Sequence, residues 1–276
     1  VKCHQRGEIR RRRQGRKDAV AIFGGILGGN DGQYKVWHDK GAGEMASAIA
    51  WRLYAAGLTR LCMLELEEPL AVRRRVSFSP AMADGSAEVE GVAAVKVVDW
   101  TGVQDAWKKN VIAVMLVSAW LGPRPDVIVD ARLAKRNLDT RIDEADWVIA
   151  LGPGFVAGED CHLVIETNRG HDLGRIFSIG PAARNTGVPG EIAGFDAERV
   201  IRAPAAGTFT AFRDIGQAVG KGEVVGEVEG RPVLAAGLKL GDIDPRGKEQ
   251  YCATISDKAR SISGSVLEGI LRACNR

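Results

Sequence analysis

This 276-residue chain has no apolar run close to the roughly 20 residues that a membrane-spanning helix requires, and its longest candidate, Val111 to Leu121, reads as a buried strand or helix. A membrane partner is therefore not expected. Cysteine is sparse and unpatterned: Cys3, Cys62, Cys161, Cys252 and Cys274 are an odd number without paired spacing. Neither a disulfide framework nor a zinc knuckle is indicated, and reduced thiols in a cytoplasmic protein are expected. Cys3-His4 matches the end of a Cys-x-x-Cys-His haem signature, but the residues that decide such a signature would precede Val1. Aromatic residues are few, and none interrupts the basic tract Arg10 to Arg13. Without rings to stack bases, that tract reads as a solvated tail, and nucleic acid is not an expected partner. The apolar Ala19 to Gly29 lacks a small-x-small cleavage site, since Asn30, Asp31 and Gly32 follow. A secretory leader is thus not expected, and a chain that opens on Val1 rather than Met reads as a fragment or a processed terminus.

What is present is ordinary for a globular protein: 45% hydrophobic and 26% charged residues, enough for one or two cored domains. The net charge of +3 conceals an asymmetry, because residues 1 to 17 hold eight Lys or Arg against Glu8 alone, a tract of +7 beside a body of −4. Residues 1–39, basic and then glycine-rich, show no sustained period and read as an extension. Regular signal begins at Gly41-x-Gly43-x-x-Ala46, followed by Met45, Ile49, Leu53 and Ala56 at helical spacing and a stop at Gly57. A strand is predicted over Arg60 to Leu66. Glycine turn, helix and strand in that order open a dinucleotide-binding βαβ unit, whose glycines let the backbone approach a diphosphate. The acid that binds ribose hydroxyls in such units belongs where Glu65 and Glu67 lie. The preceding segment, Tyr34 to Lys40, is polar for a buried parallel strand.

Arg73, Arg74 and Arg75 follow, either a solvated face or a guanidinium clamp for a phosphate. Alternation over Ala87 to Val98 around Glu90-Gly91 predicts a hairpin. Two parallel-type strands, Asp126 to Asp130 and Asp146 to Leu151, each end in a polar loop. Ligands of open α/β sheets collect at such carboxyl ends. The first loop carries Asp130, Lys135, Arg136, Asn137, Thr140 and Arg141; the second is Gly152-Pro153-Gly154.

From Glu159 to Asp172 reactive groups are dense: Glu159, Asp160, Cys161, His162, Glu166, Arg169, His171 and Asp172, with half of the chain's four histidines. Burying so many ionisable groups costs several kcal/mol each unless they are paired or bind something. No metal is predicted, because neighbours on a strand point to opposite faces and Cys161 and His162 cannot share one coordination shell. Cys161 is a candidate nucleophile if a positive neighbour or His171 activates it. The fullest reading is an anion site: backbone N–H groups at Gly152 and Gly154, charge held by Arg169, and a proton shuttle at His171 and Asp172. Against it stand an ordinary Glu166–Arg169 ion pair and a His162 that merely packs.

From Val200 the texture becomes short β runs between glycine turns. Ala203-Pro204-x-x-Gly207 and Gly216-x-x-Val219-x-x-Gly222 have the rhythm of a biotinyl or lipoyl-like barrel-sandwich hybrid. A carrier lysine at a hairpin tip is missing, so a structural or docking role is expected. Pro232 to Leu240 runs on where that repeat calls for another hairpin. Ile262, Val266, Leu267, Ile270 and Leu271 predict a closing amphipathic helix within Thr254 to Cys274.

KGAGEMASAIAWRL, LELEEPLAVRRRVSF, DVIVDARLAKRN, ALGPGFVAGEDCHLVIETNRGHDLGRI, NTGVPGEI, KLGDIDPRG and TISDKARSI together resemble the YqeB-type proteins associated with maturation of selenium-dependent molybdenum hydroxylases, over about Lys40 to Leu271. The resemblance implies an accessory protein for hydroxylases of the xanthine dehydrogenase type, with the client enzyme and other maturation proteins as partners. It names no reaction, and whether the chain is an enzyme, or forms a homo-oligomer, stays open. Domains are expected at 1–39 (extension), 40–197 (Rossmann-like α/β), 198–245 (barrel-sandwich-hybrid-like β) and 246–276 (closing segment).

The cofactor is left unidentified: the loops suit a small anionic ligand such as a nucleotide or NAD(P), and the resemblance adds a molybdopterin-type cofactor. Candidate binding residues are Gly41, Gly43, Glu65, Arg73, Arg74, Lys135, Arg136, Asn137, Gly152, Gly154, His162, Glu166 and Arg169, with Cys161, His171 and Asp172 as candidate catalytic groups. The alternative is an NAD(P)-dependent oxidoreductase built on the Gly41 turn.

Overall fold

The computed structural model describes residues 2–5, 20–22 and 37–274, so the basic tract Arg10 to Arg13 lies outside the described residues. Strands β1 (Lys2–Gln5), β2 (Val20–Ile22) and β3 (Trp37–Lys40) lead to helix α1 (Glu44–Ala55) and strand β4 (Leu61–Glu65). A short helix α2 (Ala81–Asp84) precedes β5 (Ser86–Val89) and β6 (Val92–Val97); α3 (Trp100–Lys108) and β7 (Ile112–Leu116) follow. Next come β8 (Val127–Asp130), β9 (Trp147–Leu151), β10 (Val156–Ala157), β11 (Leu163–Ile165), β12 (Ile176–Phe177) and β13 (Gly180–Pro181). The remainder is β14 (Val200–Arg202), β15 (Gly207–Ala211), β16 (Gly226–Leu234), β17 (Lys239–Asp244) and helix α4 (Asp257–Cys274).

Ten strands form one sheet in the order β12-β11-β9-β8-β3-β2-β4-β7-β6-β5. Strands β3, β8, β9 and β11 run parallel on one side and β4, β7 and β6 on the other, while β2 is antiparallel between β3 and β4. This mixed α/β sheet is compatible with a Rossmann-like domain. The chain leaves β3 through α1 toward β4 and returns after β7 to lay β8 against the other side of β3. That reversal makes the β3/β8 boundary a topological switch point, where the carboxyl ends of adjacent strands diverge and leave a crevice.

Local chemistry accounts for the elements. Helix α1 ends on a left-handed Gly57 (φ +87°), with Leu58 N–H donating to Leu53 O and Gly57 N–H to Tyr54 O, both at 2.9 Å, and Leu58 buried beneath. This is the paired-bond stop that a C-terminal glycine permits. The β5–β6 hairpin turns on Glu90 (φ +44°) and Gly91 (φ +81°), two positive-φ residues that match strand twist. The polar β3 is tolerated because buried Lys40 is neutralised by Asp139 at 3.1 Å and Glu144 at 2.8 Å.

Alternation along the parallel strands divides the core. Val129, Ile149, Leu151, Leu163 and Ile165 pack into the main cluster with α1 and α4, whereas Ile128, Val148, Ala150 and Val164 face a second cluster containing Cys161. Helix α4 buries Ile262, Val266 and Ile270 completely, each stabilising the fold by roughly 1.5–3 kcal/mol. Gly269 lets it approach the sheet, since a Cβ there would meet Leu163 Cδ1 at 2.9 Å.

The strands beyond residue 198 lie in two small sheets, β15-β16 and, with β1 from the start of the chain, β1-β17-β14. The β15–β16 register jumps between Gly207, opposite Leu234, and Thr208, opposite Glu229. This irregularity falls at the segment where the repeat rhythm lacks a hairpin. Lys2–Gln5 and Val20–Ile22, from the stretch read as an extension, each supply a strand to a sheet.

Candidate functional site

A cleft of about 670 Å³ opens at the switch point. It is lined by Gly43, the 131–135 loop, Pro153, the 184–192 loop, the β17 region and the start of α4. The Gly41 turn and the loop after β8 meet directly: Ala131 N–H donates to Lys40 O at 3.1 Å, and a Cβ added at Gly41, at φ +124°, would meet the Ala131 carbonyl oxygen at 3.6 Å. Gly43 is the residue before α1, and a Cβ there would meet nothing within 4 Å.

Charge sets the character of the cleft. Nine Lys or Arg line it against five carboxylates. Most cations are committed: Arg73 to Glu44, Arg169 to Asp257 through two bonds of 2.8 and 3.0 Å, Arg199 to Asp242 at 3.0 Å, and Arg246 to Asp244 at 2.7 Å. Arg132 is held by Asp130 at 2.6 Å and by Asp139. Burial alone would raise the Asp139 carboxyl, but the Arg132 hydrogen bond and the Lys40 charge hold it at about 2. The side chains of Lys135, Arg184 and Lys258 make no hydrogen bond or ion pair among the described residues. An uncommitted positive excess inside a concave site focuses the field on anions.

Of the residues that sequence singles out, Gly43, Arg73, Lys135, Glu166 and Arg169 line the cleft. Their tasks differ from the expectation. Arg73 also donates to the carbonyls of Tyr251 and, at 3.0 Å, Thr254, so it is a tie between segments rather than a free clamp. Glu166, buried, accepts from the N–H groups of Thr167 (2.7 Å), Asn168 (2.6 Å) and Ala183 (2.7 Å) and is not the partner of Arg169. Lys135 sits exposed at φ +66°, on the loop after β8 that lines the cleft.

The other candidates lie elsewhere, and each correction has a physical reason. Glu65 is turned inward, where its two oxygens accept from Ala42 N–H and Leu66 N–H at 2.8 Å, and burial raises its pKa. It is not presented to a ribose. Gly152 gives its N–H to Ile165 O at 2.8 Å, so it offers no donor to an anion. Gly152 and Gly154 are glycines because side chains there would strike Thr167 Oγ1 and the Arg136 backbone, both at 2.3 Å. Asn137 braces its own loop, donating to Thr140 O (2.8 Å) and Asp160 (3.0 Å), while Arg74 and Arg136 are exposed and do not line the cleft.

The catalytic candidates part company as well. Cys161 is fully buried among apolar side chains, and burial with the nearby Asp160 and Asp130 charges pushes its thiol up to about 12, the opposite of an activated thiolate. His162 points to the other face, accepts from Val148 N–H at 2.9 Å through Nδ1 and stacks on Trp147 at 4.5 Å. His171 and Asp172 are exposed outside the cleft, with Asp172 paired to Arg175 at 3.1 Å. No group of three or more His, Cys, Asp or Glu among the described residues is placed to hold a metal ion, and no described helix is long and apolar enough to cross a membrane.

Sequence reading missed Lys258, on the first turn of α4. Burial, then the charges of Lys135 and Arg169, lower its pKa to about 8. Its backbone position is fixed: Ser256 caps the helix by accepting from Ala259 N–H at 3.2 Å, and Glu90 holds Ile255 N–H at 2.7 Å and Arg260 at 2.7 and 2.8 Å. The available signal was Ser256-Asp257 directly before the amphipathic run, a helix-start pattern that puts Lys258 beside the positive end of the dipole.

No family model matches the chain, and no solved structure matches it. It is 44% identical over 252 residues to a protein of Escherichia coli (strain K12) described as "Uncharacterized protein YqeB". The match takes in 84% of this chain and 46% of that protein, so the chain spans about half the length of this relative.

Proposed function

The chain belongs to the YqeB-type family, and from that premise we propose that it is a cytoplasmic accessory protein in maturation of a selenium-dependent molybdenum hydroxylase, holding a nucleotide or pterin-type anionic cofactor for a client enzyme. The client follows from the family resemblance. The ligand class follows from one observation: a cleft of about 670 Å³ at the switch point of a mixed sheet, in which the side chains of Lys135, Arg184 and Lys258 make no hydrogen bond or ion pair among the described residues. That volume suits a ligand of nucleotide size, and uncommitted cations suit phosphate or carboxylate.

In this reading the anion lies between Gly43 and the first turn of α4, and Lys135 and Lys258 balance its charge. Arg73, Arg169 and Glu166 keep the walls in place. The β-rich residues 198–245 act as a biotinyl or lipoyl-like docking wall without a carrier lysine. An NAD(P)-dependent oxidoreductase is the weaker reading, because Glu65 spends its oxygens on the turn it would need to leave open. Fluorescence titration with NAD(P) and with a molybdopterin nucleotide, beside co-purification with a molybdenum hydroxylase, separates the two. Pterin-nucleotide binding and a hydroxylase partner are the expected results; tight NAD(P) binding with turnover of a small substrate would sink the maturation reading.

A further inference from the structure

We propose that Lys258 is a reactive amine that captures an anionic carbonyl compound, an α-oxo acid or a phosphorylated aldehyde, as an imine inside the cleft. The inference rests on the reading of the cleft as an anion site and adds chemistry to it. Lys258 is half-buried in the cleft wall on a helix start that is pinned by Ser256, Glu90 and Arg260. Its amine has no partner among the described residues, although carboxylates stand nearby. Those carboxylates are occupied: Glu44 by Arg73 and by the Ser256 hydroxyl at 2.8 Å, Glu166 by three backbone N–H groups, Asp257 by Arg169. Lys135 and Arg169 add like charge. The groups facing Lys258 therefore oppose its protonation more than they favour it, and a substantial neutral fraction exists near pH 8. A lysine desolvated beside other cations is the arrangement that activates an amine as a nucleophile.

The step needs no co-reactant. The Lys258 Nζ lone pair forms a bond to the carbonyl carbon, the C=O π pair moves to oxygen, and a proton passes from nitrogen to that oxygen to give a carbinolamine. Loss of the hydroxyl group, with the remaining N–H proton, as water leaves a C=N imine. Nothing is oxidised or reduced. The substrate's carboxylate or phosphate lies against Lys135, relieving the like-charge crowding that the free amine endures. Other cleft lysines are less suited: Lys239 is paired with Asp242, and Lys135 is exposed.

The test uses the full chain with glyoxylate, pyridoxal 5′-phosphate and neutral propanal in parallel, each followed by borohydride reduction and peptide mass mapping, with calorimetric titration of inorganic phosphate beside them. At pH 8 a lysine of pKa about 8 is half neutral, whereas an ordinary one is under about 1% neutral. Allowing for the weaker nucleophilicity of a less basic amine, Lys258 should label roughly tenfold faster than other lysines with the anionic reagents. Excess phosphate should protect it, and Lys258→Arg should remove the fast adduct. Whichever anionic reagent labels faster tells carboxylate from phosphate. Phosphate binding without preferential Lys258 labelling would overturn the proposal and leave the anion site standing. Equal labelling by propanal would overturn the proposal, and no phosphate binding would overturn both.

Discussion

Replacing Lys258 with Met should stabilise the folded chain at pH 7, because the wild-type residue holds an ammonium where its neighbours disfavour it. Burial first, then Lys135 and Arg169, lower its pKa from 10.5 to about 8. Each pKa unit corresponds to about 1.4 kcal/mol, which gives a ceiling of about 3 kcal/mol; residual solvent contact brings the expectation to about 1–2 kcal/mol. The sign follows from proton binding. Below pH 8 folded and unfolded chains both carry the proton, so the whole penalty is present. Between about 8 and 10.5 the unfolded chain retains a proton that the folded chain has released, and wild-type stability climbs relative to the variant. Urea unfolding followed by tryptophan fluorescence at pH 7 and pH 9.5 measures this. The variant's advantage should fall by several tenths of a kcal/mol between the two, a difference from which any constant gain from the methionine's packing cancels. A variant less stable at pH 7, or an advantage equal at both pH values, would refute the electrostatic account of Lys258.

Glu166→Gln should lower stability by about 2–4 kcal/mol, because an amide keeps one acceptor oxygen and must turn an N–H₂ group toward either Ala183 N–H or the Thr167 and Asn168 pair; a loss under about 0.5 kcal/mol in denaturant titration would show the carboxylate is not bracing the cleft wall. Gly154→Ala puts a Cβ 2.3 Å from Arg136 Cα at φ +105° and should cost more than about 2 kcal/mol, whereas Gly43→Ala meets open space and should cost under about 1 kcal/mol. The reverse order in thermal melts would contradict the division between packing and cleft-facing glycines.

Much of the frame was legible because it depends on local pattern. Val and Ile runs gave β8 and β9, Glu90-Gly91 gave the hairpin, and the Gly41 to Gly57 punctuation gave α1. The density of reactive groups between Glu159 and Asp172 was also plain, but composition carries no direction. Strand alternation sends Cys161 into one core and His162 to the opposite face, while Glu166 and Arg169, past the end of β11, reach the cleft. Gly152 and Gly154 look like an anion nest in sequence, yet their neighbours Thr167 and Arg136 require them for space. Lys40 made β3 look wrong because its partners Asp139 and Glu144 lie about a hundred residues away. Lys258 was invisible for the same reason: its environment is assembled from Glu44, Lys135, Glu166 and Arg169, and no local window holds them together.

The central claim is that the switch-point cleft is a small-anion site. Isothermal titration calorimetry of the wild-type chain and of a Lys135→Ala, Lys258→Ala double variant with inorganic phosphate and with AMP tests it most directly. One anion bound per chain in a salt-sensitive manner, with affinity reduced at least about tenfold in the variant, is the predicted result. No measurable binding to the wild type, or equal affinity in the variant, would contradict the account.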